Sequence, residues 1–349
     1  MDRPRLIIPD SMSRRRALGL GAAAAAALTL PGCSRGRRDE PAPAAPATLA
    51  TGNKGGVYDQ FGTGLASLVG EVTGMMLTPV ASLGSIDNLK KVASGRHDVG
   101  FTTSDSAYAA YEGVGAFASG ALRFTSLGRT YDNYVHVVVP MASKVKTLQD
   151  LKNKIVSVGP EGSGTKLVAD MILDTAKLDD RRSVGDTVLK RMLSLDAAVA
   201  ALKAQSDKPG TGIDAMIWSG GLPTDPIKKL QKSIGFRLVD IAETAETIAL
   251  KQFGGYIVSS IPPKTYDLAS AVATLTIPNY LIARPNLSDS WAWWIVNTLF
   301  RRQKDLIGNP ADPEHYHPEA SALDPRSAIA TMPVPLHQAA ERWYRANHI

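Results

Sequence analysis

Short apolar runs alternate with amphipathic helical patterns from Thr48 to the C-terminus, and this alternation constrains the fold more than any other feature of the sequence. Such an alternation is typical of an α/β protein with mainly parallel sheets. The patterns predict strands at residues 48–51, 76–80, 97–102, 134–139, 154–158, 213–218 and 279–283. Helices are predicted after most of these strands, and the last long one covers residues 290–303.

Loops rich in glycine, serine and threonine follow five of the predicted strands and lead into helices. They begin at Gly52, Ala81, Thr103, Gly159 and Ser219. Because the carboxyl ends of strands in such sheets face one side, the five loops are expected to converge on one crevice. Helix N-termini present unpaired backbone N–H groups and a partial positive charge, so the crevice is predicted to favour an anionic group such as a carboxylate.

The net charge of +6 does not point to nucleic acid as a partner. Residues 1–40 contain eight arginines and four acidic residues, which leaves a charge of only +2 for residues 41–349. A basic groove in the folded part therefore has little support. The single cysteine, Cys33, excludes a disulfide framework and any multi-cysteine metal site.

The N-terminus has the order of a bacterial export signal. Arginines 14–16 precede an apolar stretch over residues 17–30, which is shorter than the roughly 20 residues of a membrane-spanning helix. The paired arginines resemble a twin-arginine signal, and Leu30-Pro31-Gly32-Cys33 resembles a lipobox. We expect residues 1–32 to be a cleaved signal peptide, Cys33 to carry the acyl chains, and the proline-rich residues 33–47 to form an extended tether. The alternative is an ordinary secretory signal with an incidental cysteine.

Other motifs have weaker support. The segment Gly159–Lys166 resembles a phosphate-binding loop, but its lysine is displaced by one position, which argues against a nucleotide triphosphatase. Ser163 lacks the glycine two positions earlier that a hydrolase nucleophile requires. His315 and His317 lie in a proline-rich stretch that indicates a surface loop more than a metal site. The tryptophan-rich helix at residues 290–303 is apolar on all sides and is predicted to be buried.

Motifs distributed along nearly all of the mature chain resemble the TAXI family, the extracytoplasmic solute receptors of tripartite ATP-independent periplasmic (TRAP) transporters. They are Gly55-Gly56-Val57-Tyr58, residues 83–89, residues 94–101, Ser104-Asp105, residues 134–139, residues 148–158, residues 162–165, residues 218–224, and residues 333–337 with Trp343-Tyr344. Each motif alone is weak, and their common order makes the resemblance specific.

The resemblance implies a two-lobed α/β fold of the type II periplasmic-binding-protein kind, with a cleft between the lobes that closes on a small organic acid. Known members bind glutamate, glutamine or dicarboxylates such as 2-oxoglutarate. It implies a binding protein and not an enzyme, without a cofactor or metal. The partner would be a TRAP membrane component, usually with fused subunits, and the protein would be lipid-anchored on the outer face of the bacterial cytoplasmic membrane.

Lobe 1 is expected to comprise residues 48–139 and 279–349, and lobe 2 residues 140–278, with hinges near residues 138–142 and 278–283. The expected ligand-binding residues are Lys54, Gly55, Gly56, Tyr58, Ser85, Thr103, Ser104, Asp105, Gly162, Ser163, Gly164, Thr165, Trp218, Gly220 and Gly221. Backbone N–H groups and the hydroxyls of Ser85, Ser163 and Thr165 would bind the acid, between walls formed by Tyr58 and Trp218.

Departures from the family pattern leave the identity of the ligand open. They fall at Asn53, Lys54, Asp59 and Thr103, all in the loops of the predicted crevice. Lys54 either offers a cation to a second carboxylate or points to solvent. Two alternatives for the function also stay open: a ligand sensor that acts with a membrane kinase, and a hydrolase or nucleotide-binding enzyme that uses the loop at residues 159–166.

Overall fold

The computed structural model describes residues 40–179, 187–251, 255–312 and 315–349, so the predicted signal peptide and Cys33 lie outside the described residues. The strands are β1 (Ala47–Ala50), β2 (Leu77–Val80), β3 (Val99–Thr103), β4 (Thr125–Pro140), β5 (Ile155–Ser157), β6 (Leu189–Arg191), β7 (Ala215–Gly220), β8 (Phe236–Leu238), β9 (Ile257–Ile261) and β10 (Val272–Ala283). The helices are α1 (Val57–Thr73), α2 (Ser85–Ala93), α3 (Ser104–Glu112), α4 (Gly164–Thr175), α5 (Leu195–Asp207), α6 (Asp225–Ile234), α7 (Ala242–Lys251), α8 (Asp289–Arg301), α9 (Gln303–Ile307), α10 (Pro325–Ala328) and α11 (Gln338–Ala346). Short 3-10 helices lie at Gly115–Phe117, Leu148–Leu151, Pro263–Thr265 and Pro318–Ala322.

The described strands form one mixed sheet. Its order is β2-β1-β3-β10-β4-β7-β5-β6, with β8 paired to β4 and β9 paired to β10. Strand β1 is parallel to β2 and β3, and β5 is parallel to β6 and β7. The long strands β4 and β10 are antiparallel to each other and to the strands on either side of them. The α/β class is therefore confirmed, whereas the prediction of mainly parallel sheets is wrong, because two long antiparallel strands join the two parallel groups.

The two long strands also explain why loops from distant parts of the sequence meet. Strands β3 and β4 run in the same direction, since both pair antiparallel with β10, and β7 runs in the opposite direction to β4. The carboxyl ends of β1 and β3 consequently face those of β5 and β7 across the middle of the sheet. The loops converge from two facing sets of strands, and not from one side of a single parallel sheet as the sequence suggested.

Each of the two lobes has helices packed on both faces of its part of the sheet. In lobe 1, α1, α8 and α11 cover one face around Phe61 and Trp291, and α2 and α3 cover the other around Leu89. In lobe 2, α4 and α7 cover one face around Ile172, and α5 and α6 cover the other around Leu202. The predicted burial of the tryptophan-rich helix, here α8, is confirmed because Trp291 and Trp293 are both buried.

Along β4, the boundary between the core of lobe 1 and the core of lobe 2 lies before residue 139, the boundary that the sequence predicted. Tyr131 packs in the core of lobe 1, and Val135 already packs in the core of lobe 2. The predicted hinge at residues 138–142 thus lies within lobe 2, where β4 pairs with β7 and β8. On β10 the change falls between Ile277 and Leu281, beside a register shift in the pairing with β4.

The segment before β1 lies against lobe 1. The indole Nε1 atoms of Trp294 and Trp291 donate hydrogen bonds to the carbonyls of Glu40 and Ala45, both at 2.9 Å. The guanidinium of Arg342 lies 2.8 Å from the Glu40 carboxylate. From Glu40 onward the chain is therefore held by α8 and α11, and the predicted extended tether does not include these residues. Within the described ranges, no helix is both long and apolar enough to span a bilayer.

Candidate functional site

A cavity that is partly open to solvent lies between the lobes where the facing strands end. Its lining residues are Gly52, Asn53, Gly56, Val57, Tyr58, Leu83, Gly84, Ser85, Thr103, Asn133, Ser163, Gly164, Thr165, Trp218, Ser219 and Gly220. Lining from both lobes is typical of a site that binds its ligand on closure.

Nine of the fifteen residues predicted to bind a ligand line this cavity. They are Gly56, Tyr58, Ser85, Thr103, Ser163, Gly164, Thr165, Trp218 and Gly220. The other six, Lys54, Gly55, Ser104, Asp105, Gly162 and Gly221, lie outside the lining. The structure therefore brings residues from all five predicted loops to one cavity, and their role in ligand binding stays a prediction.

Seven lining residues were not among the predicted binding residues: Gly52, Asn53, Val57, Leu83, Gly84, Asn133 and Ser219. Six of them are close neighbours of predicted residues in the same loops. Asn133 is different, because it lies in the middle of β4, whose first half was not predicted as a strand. A polar side chain at the point where a strand crosses between lobes was the signal available in the sequence.

Four helices begin at this cavity. The residues that precede α1, α2, α3 and α4 are Gly56, Gly84, Thr103 and Ser163, and all four belong to the lining. The first three provide no side-chain cap, and some N–H groups of these first turns have other acceptors: the Asp87 N–H donates to the Gly162 carbonyl, and the Ser106 N–H donates to Asp105 Oδ1. Only the Ser163 side chain caps its helix, by accepting from the Lys166 N–H at 3.0 Å. Four positive helix ends around one cavity favour an anionic ligand group.

The lining contains no ionisable acid or base other than the tyrosine hydroxyl of Tyr58. Lys54 is exposed to solvent, so the structure favours the second of its two predicted orientations. The ammonium of Lys166 lies 2.7 Å from the Asp170 carboxylate, in an ion-pair cluster at the surface of lobe 2. Neither lysine contributes a cation to the cavity, which leaves backbone and neutral side chains as its polar groups.

Two side chains of β7 have polar atoms without a partner among the described residues. They are Trp218, through its Nε1, and Ser219, through its Oγ, and each side chain is 7% exposed. A buried N–H without an acceptor costs free energy comparable to a lost hydrogen bond. Both residues belong to the cavity lining, although these two atoms are themselves enclosed by protein.

The aromatic wall is held by a buried hydrogen-bond network. The Tyr58 ring stacks on Phe101 with ring centroids 5.1 Å apart, and its hydroxyl donates to Asn279 Oδ1 at 2.5 Å. Asn279 Nδ2 in turn donates to Asn133 Oδ1 and to the Tyr131 carbonyl, each at 2.9 Å. Burial raises the pKa of the Tyr58 hydroxyl well above its ordinary value, so it stays a neutral donor.

Several contacts join the lobes around the cavity. The Asp87 N–H donates to the Gly162 carbonyl at 3.0 Å, and Gln60 Nε2 donates to the Asp225 carboxylate at 3.0 Å. On the other side, the Tyr256 hydroxyl of lobe 2 donates to Asp105 Oδ2 at 2.5 Å. Asp105 was predicted to contact the ligand, but its carboxyl lies outside the cavity lining and bonds across the cleft instead.

A second buried acid, Glu319, lies beside the same interlobe surface. A β-carbon placed on Gly221 of lobe 2 would lie 3.0 Å from Glu319 Cγ. Burial, with a smaller contribution from the Asp225 charge, raises the pKa of Glu319 to about 8. At neutral pH this carboxyl is therefore mostly protonated.

The raised pKa of Glu319 predicts how stability depends on pH. The folded state keeps this proton up to about pH 8, whereas the unfolded state loses it near pH 4.5. The stabilisation from the protonated Glu319 carboxyl is therefore complete at low pH and is lost as the pH rises to 8. Between pH 5 and pH 8 the wild type should lose about 3 kcal/mol of unfolding free energy more than Glu319→Gln does. Denaturant unfolding of both proteins at the two pH values measures these losses of unfolding free energy. The contributions of other titrating groups are the same in both proteins and cancel in the comparison. Equal losses in the two proteins would disprove this assignment.

The alternative chemistries that the sequence left open find little support in the geometry. The Ser163 hydroxyl donates to the Pro160 carbonyl at 2.8 Å and caps α4, so it is not paired with a base. His317 is buried against α1, and the prediction of a surface loop is wrong for this residue because its ring packs on Phe61. His315 is exposed as predicted. The described ranges contain no cluster of three or more metal-ligating side chains.

Comparison with known proteins places the fold. The model of the NMT1-like family matches residues 49–347. Among solved structures, the periplasmic binding protein BugD superposes with a TM-score of 0.52 at 13% identity, over 87% of this chain and 98% of that one. A protein from Bordetella bronchiseptica RB50 superposes with a TM-score of 0.51 at 17% identity, over 86% of this chain and 89% of that one.

A third structure, the alkanesulfonate-binding protein SsuA from Xanthomonas axonopodis pv. citri bound to MOPS, has a TM-score of 0.45 at 16% identity, over 88% of this chain and 85% of that one. At such identities a structural likeness describes the fold alone. The fold is that of the two-lobed type II periplasmic binding proteins, as predicted.

Proposed function

Because the chain belongs to the NMT1-like family, we propose that it is an extracytoplasmic solute-binding protein that captures a small organic acid between its lobes. The observation that carries this proposal is the convergence of four helix N-termini, from both lobes, on one cavity with no charged lining residue. Such a site provides hydrogen bonds to an anion, and its lining contains no aspartate, glutamate, histidine, lysine or cysteine to act as an acid, base or nucleophile. Binding and release are therefore the activity that we assign.

Binding is proposed to proceed by closure of the lobes. Among the described strands, only β4 and β10 run through both cores, and the pairing between them shifts register between Pro278 and Tyr280. Such an irregularity interrupts the ladder and lets a strand bend, so we place the hinge there and at the paired position of β4 near Asn133. On closure the first turns of α2 and α4 meet over the ligand, supported by the hydrogen bond from Asp87 to Gly162.

The proposed partner is the membrane component of a TRAP-type secondary transporter. This finer assignment rests on the resemblance of motifs such as Gly55-Gly56-Val57-Tyr58 and residues 218–224 to the TAXI family. A TRAP permease gene beside this one would support transport, whereas a sensor kinase gene in that position would favour the signalling alternative.

The proposed location is the outer face of the cytoplasmic membrane, with a lipid anchor at Cys33. Two acyl chains on one residue give stable membrane association. Replacing Cys33 with alanine should move the exported protein from the membrane fraction to the soluble extracytoplasmic fraction, and cell fractionation with immunoblotting measures this. The matched variant Ser34→Ala should stay with the membrane. A Cys33→Ala protein that still fractionates with membranes would rule out the anchor.

A thermal-shift screen tests the binding function. The purified protein is screened against organic acids that include glutamate, glutamine and 2-oxoglutarate, the ligands that the resemblance implies. A true ligand at 100 times its dissociation constant stabilises the folded state by about 2.7 kcal/mol, which corresponds to roughly 4 °C for a chain of this size. Stabilisation by a nucleotide, with none by any organic acid, would replace this proposal with the nucleotide-binding alternative.

A further inference from the structure

The charge of the folded part is unevenly distributed. Residues 140–154, 203–214 and 232–237 of lobe 2 contain seven lysines, one arginine and three aspartates, which give a net charge of +5. Because residues 41–349 carry only +2 in total, the rest of the folded part has a net charge of −3. The small total therefore conceals a local excess of positive charge, and we call the surface formed by these three segments the basic end of lobe 2.

The three segments meet at one surface. Lys144 and Lys154 of the first segment line one groove together with Pro209 of the second. The Arg237 guanidinium of the third segment donates to the Met141 carbonyl of the first at 2.9 Å. Positive side chains that are far apart in the sequence are thus gathered on one part of the molecule.

The basic end lies away from the cleft. Strands β5 and β7 begin there, and helices α5 and α6 end there. The cavity lies instead at the carboxyl end of β7 and the first turn of α4. A partner can therefore occupy the basic end without covering the cavity.

The loop lysines of this surface are not neutralised within the protein. Elsewhere in lobe 2, Lys166 and Lys190 both pair with the Asp170 carboxylate at 2.7 Å. Lys144 and Lys154 are exposed, and neither forms an ion pair with a carboxylate in the part of the chain that the structure describes. Their charges remain available to an anionic partner.

Local structure explains only part of the basic end. The Asp214 carboxylate accepts from the Ile155 N–H at 2.8 Å, and the Asp150 carboxylate accepts from the Thr147 N–H at 2.9 Å, so both hold the backbone. Lys208 follows the negative C-terminus of α5, which favours a cation there. The loop lysines have no such role within the fold, and they point to a partner outside the chain.

We propose that the basic end of lobe 2 rests on the anionic lipid surface of the membrane that holds the protein. This inference goes beyond solute binding and rests on the location given under the proposed function. The chain from Cys33 to Glu40, which lobe 1 holds, spans at most about 25 Å, so an anchored protein stays beside the headgroups. Exposed lysines match anionic headgroups, and the Met141 side chain, 52% exposed at the same surface, suits their apolar boundary.

The contact is expected to be weak on its own. Attraction between lysines and anionic headgroups is screened over about 8 Å at physiological ionic strength. It therefore orients a protein that the acyl chains already hold, and it does not retain the Cys33→Ala protein on membranes during cell fractionation. With the basic end on the lipid, the cavity at the opposite end of β7 lies on the side away from the headgroups.

Vesicle sedimentation tests this contact without the anchor. The protein is the mature chain, residues 33–349, with Cys33→Ala. The vesicles contain either equal parts of phosphatidylglycerol and phosphatidylcholine or phosphatidylcholine alone. The protein should bind the anionic vesicles at low salt, dissociate from them at high salt, and leave the neutral vesicles unbound, because the attraction is electrostatic.

Matched charge changes locate the contact on the protein. Lys144→Gln combined with Lys154→Gln should weaken binding to the anionic vesicles about tenfold, since each lysine near the surface contributes to the attraction. Lys90→Gln combined with Lys304→Gln is the control, because it removes the same charge from exposed positions of lobe 1 and should bind as the parent protein does.

Two results would overturn the membrane contact. One is that the parent protein does not bind the anionic vesicles at low salt, and the other is that the two double variants bind them equally well. Neither result depends on a solute, whereas the thermal-shift screen uses no vesicles. Failure of the membrane contact is therefore distinguishable from failure of the solute-binding function.

Discussion

Replacing Gly164 with alanine is expected to weaken solute binding roughly 100-fold. Gly164 is the first residue of α4 in lobe 2, and a β-carbon there would lie 2.7 Å from Ser85 Oγ and 3.1 Å from Thr103 Oγ1, both in lobe 1. The added methyl group therefore separates the lobes where they meet over the cavity. Overpacking of this kind costs about 1–3 kcal/mol, and the upper part of that range corresponds to about 100-fold in affinity.

Two further variants show whether the effect comes from closure. Gly70→Ala adds the same methyl group inside α1, where the nearest atom is 3.8 Å away, and it should bind normally. Removing the opposing hydroxyl with Ser85→Ala should restore part of the affinity of Gly164→Ala, although Ser85→Ala alone weakens binding. Titration calorimetry on the four proteins measures the coupling. Normal affinity in Gly164→Ala would show that the ligand binds without this contact.

Replacing Asn279 with leucine is expected to destabilise the protein by about 3 kcal/mol. The side chain is fully buried where β10 crosses between the lobes. It accepts from the Tyr58 hydroxyl and donates to the Tyr131 carbonyl and to Asn133 Oδ1, so its removal leaves three buried polar groups without this partner. Each such loss costs about 1 kcal/mol or more. Because Tyr58 and Asn133 line the cavity, the affinity for the solute should fall in the same variant.

Denaturant unfolding measures the stability change, and a matched exposed position provides the control. Asn286→Leu changes the same atoms on the surface and should alter the unfolding free energy by no more than about 0.5 kcal/mol. If Asn279→Leu were as stable as Asn286→Leu, the network would not hold the wall of the cavity.

Local patterns in the sequence predict most of the elements but not how they are joined. Elements that bury one or both faces leave a clear apolar pattern in the sequence, and this pattern predicted the strands β1, β3 and β7 and the helices α1 and α8. The first half of β4 was missed because Gly128, Arg129 and Asp132 interrupt its apolar pattern. Those residues belong to a strand whose antiparallel partner lies 150 residues later in the chain, and no local pattern specifies that pairing.

The site could be predicted only to the level of loops. Tyr58 and Trp218 were identified because each lies beside a loop that joins a predicted strand to a helix at the crevice. Lys54 and Asn53 are adjacent in one loop, yet Lys54 is exposed while Asn53 lines the cavity, where its side-chain amide bonds to the Leu83 carbonyl and accepts from the Leu195 N–H. Which neighbour faces inward depends on backbone geometry that residue types alone do not determine.

Small-angle X-ray scattering with and without the tightest ligand tests the central claim, that the cleft between the lobes captures a solute by closing on it. The wild-type protein should become more compact when a saturating amount of the ligand is added, with one ligand bound per chain by calorimetry. Gly164→Ala should remain expanded under the same ligand concentration. A wild-type protein that binds one ligand per chain with no change in its radius of gyration, and with unchanged affinity in Gly164→Ala, would contradict the account.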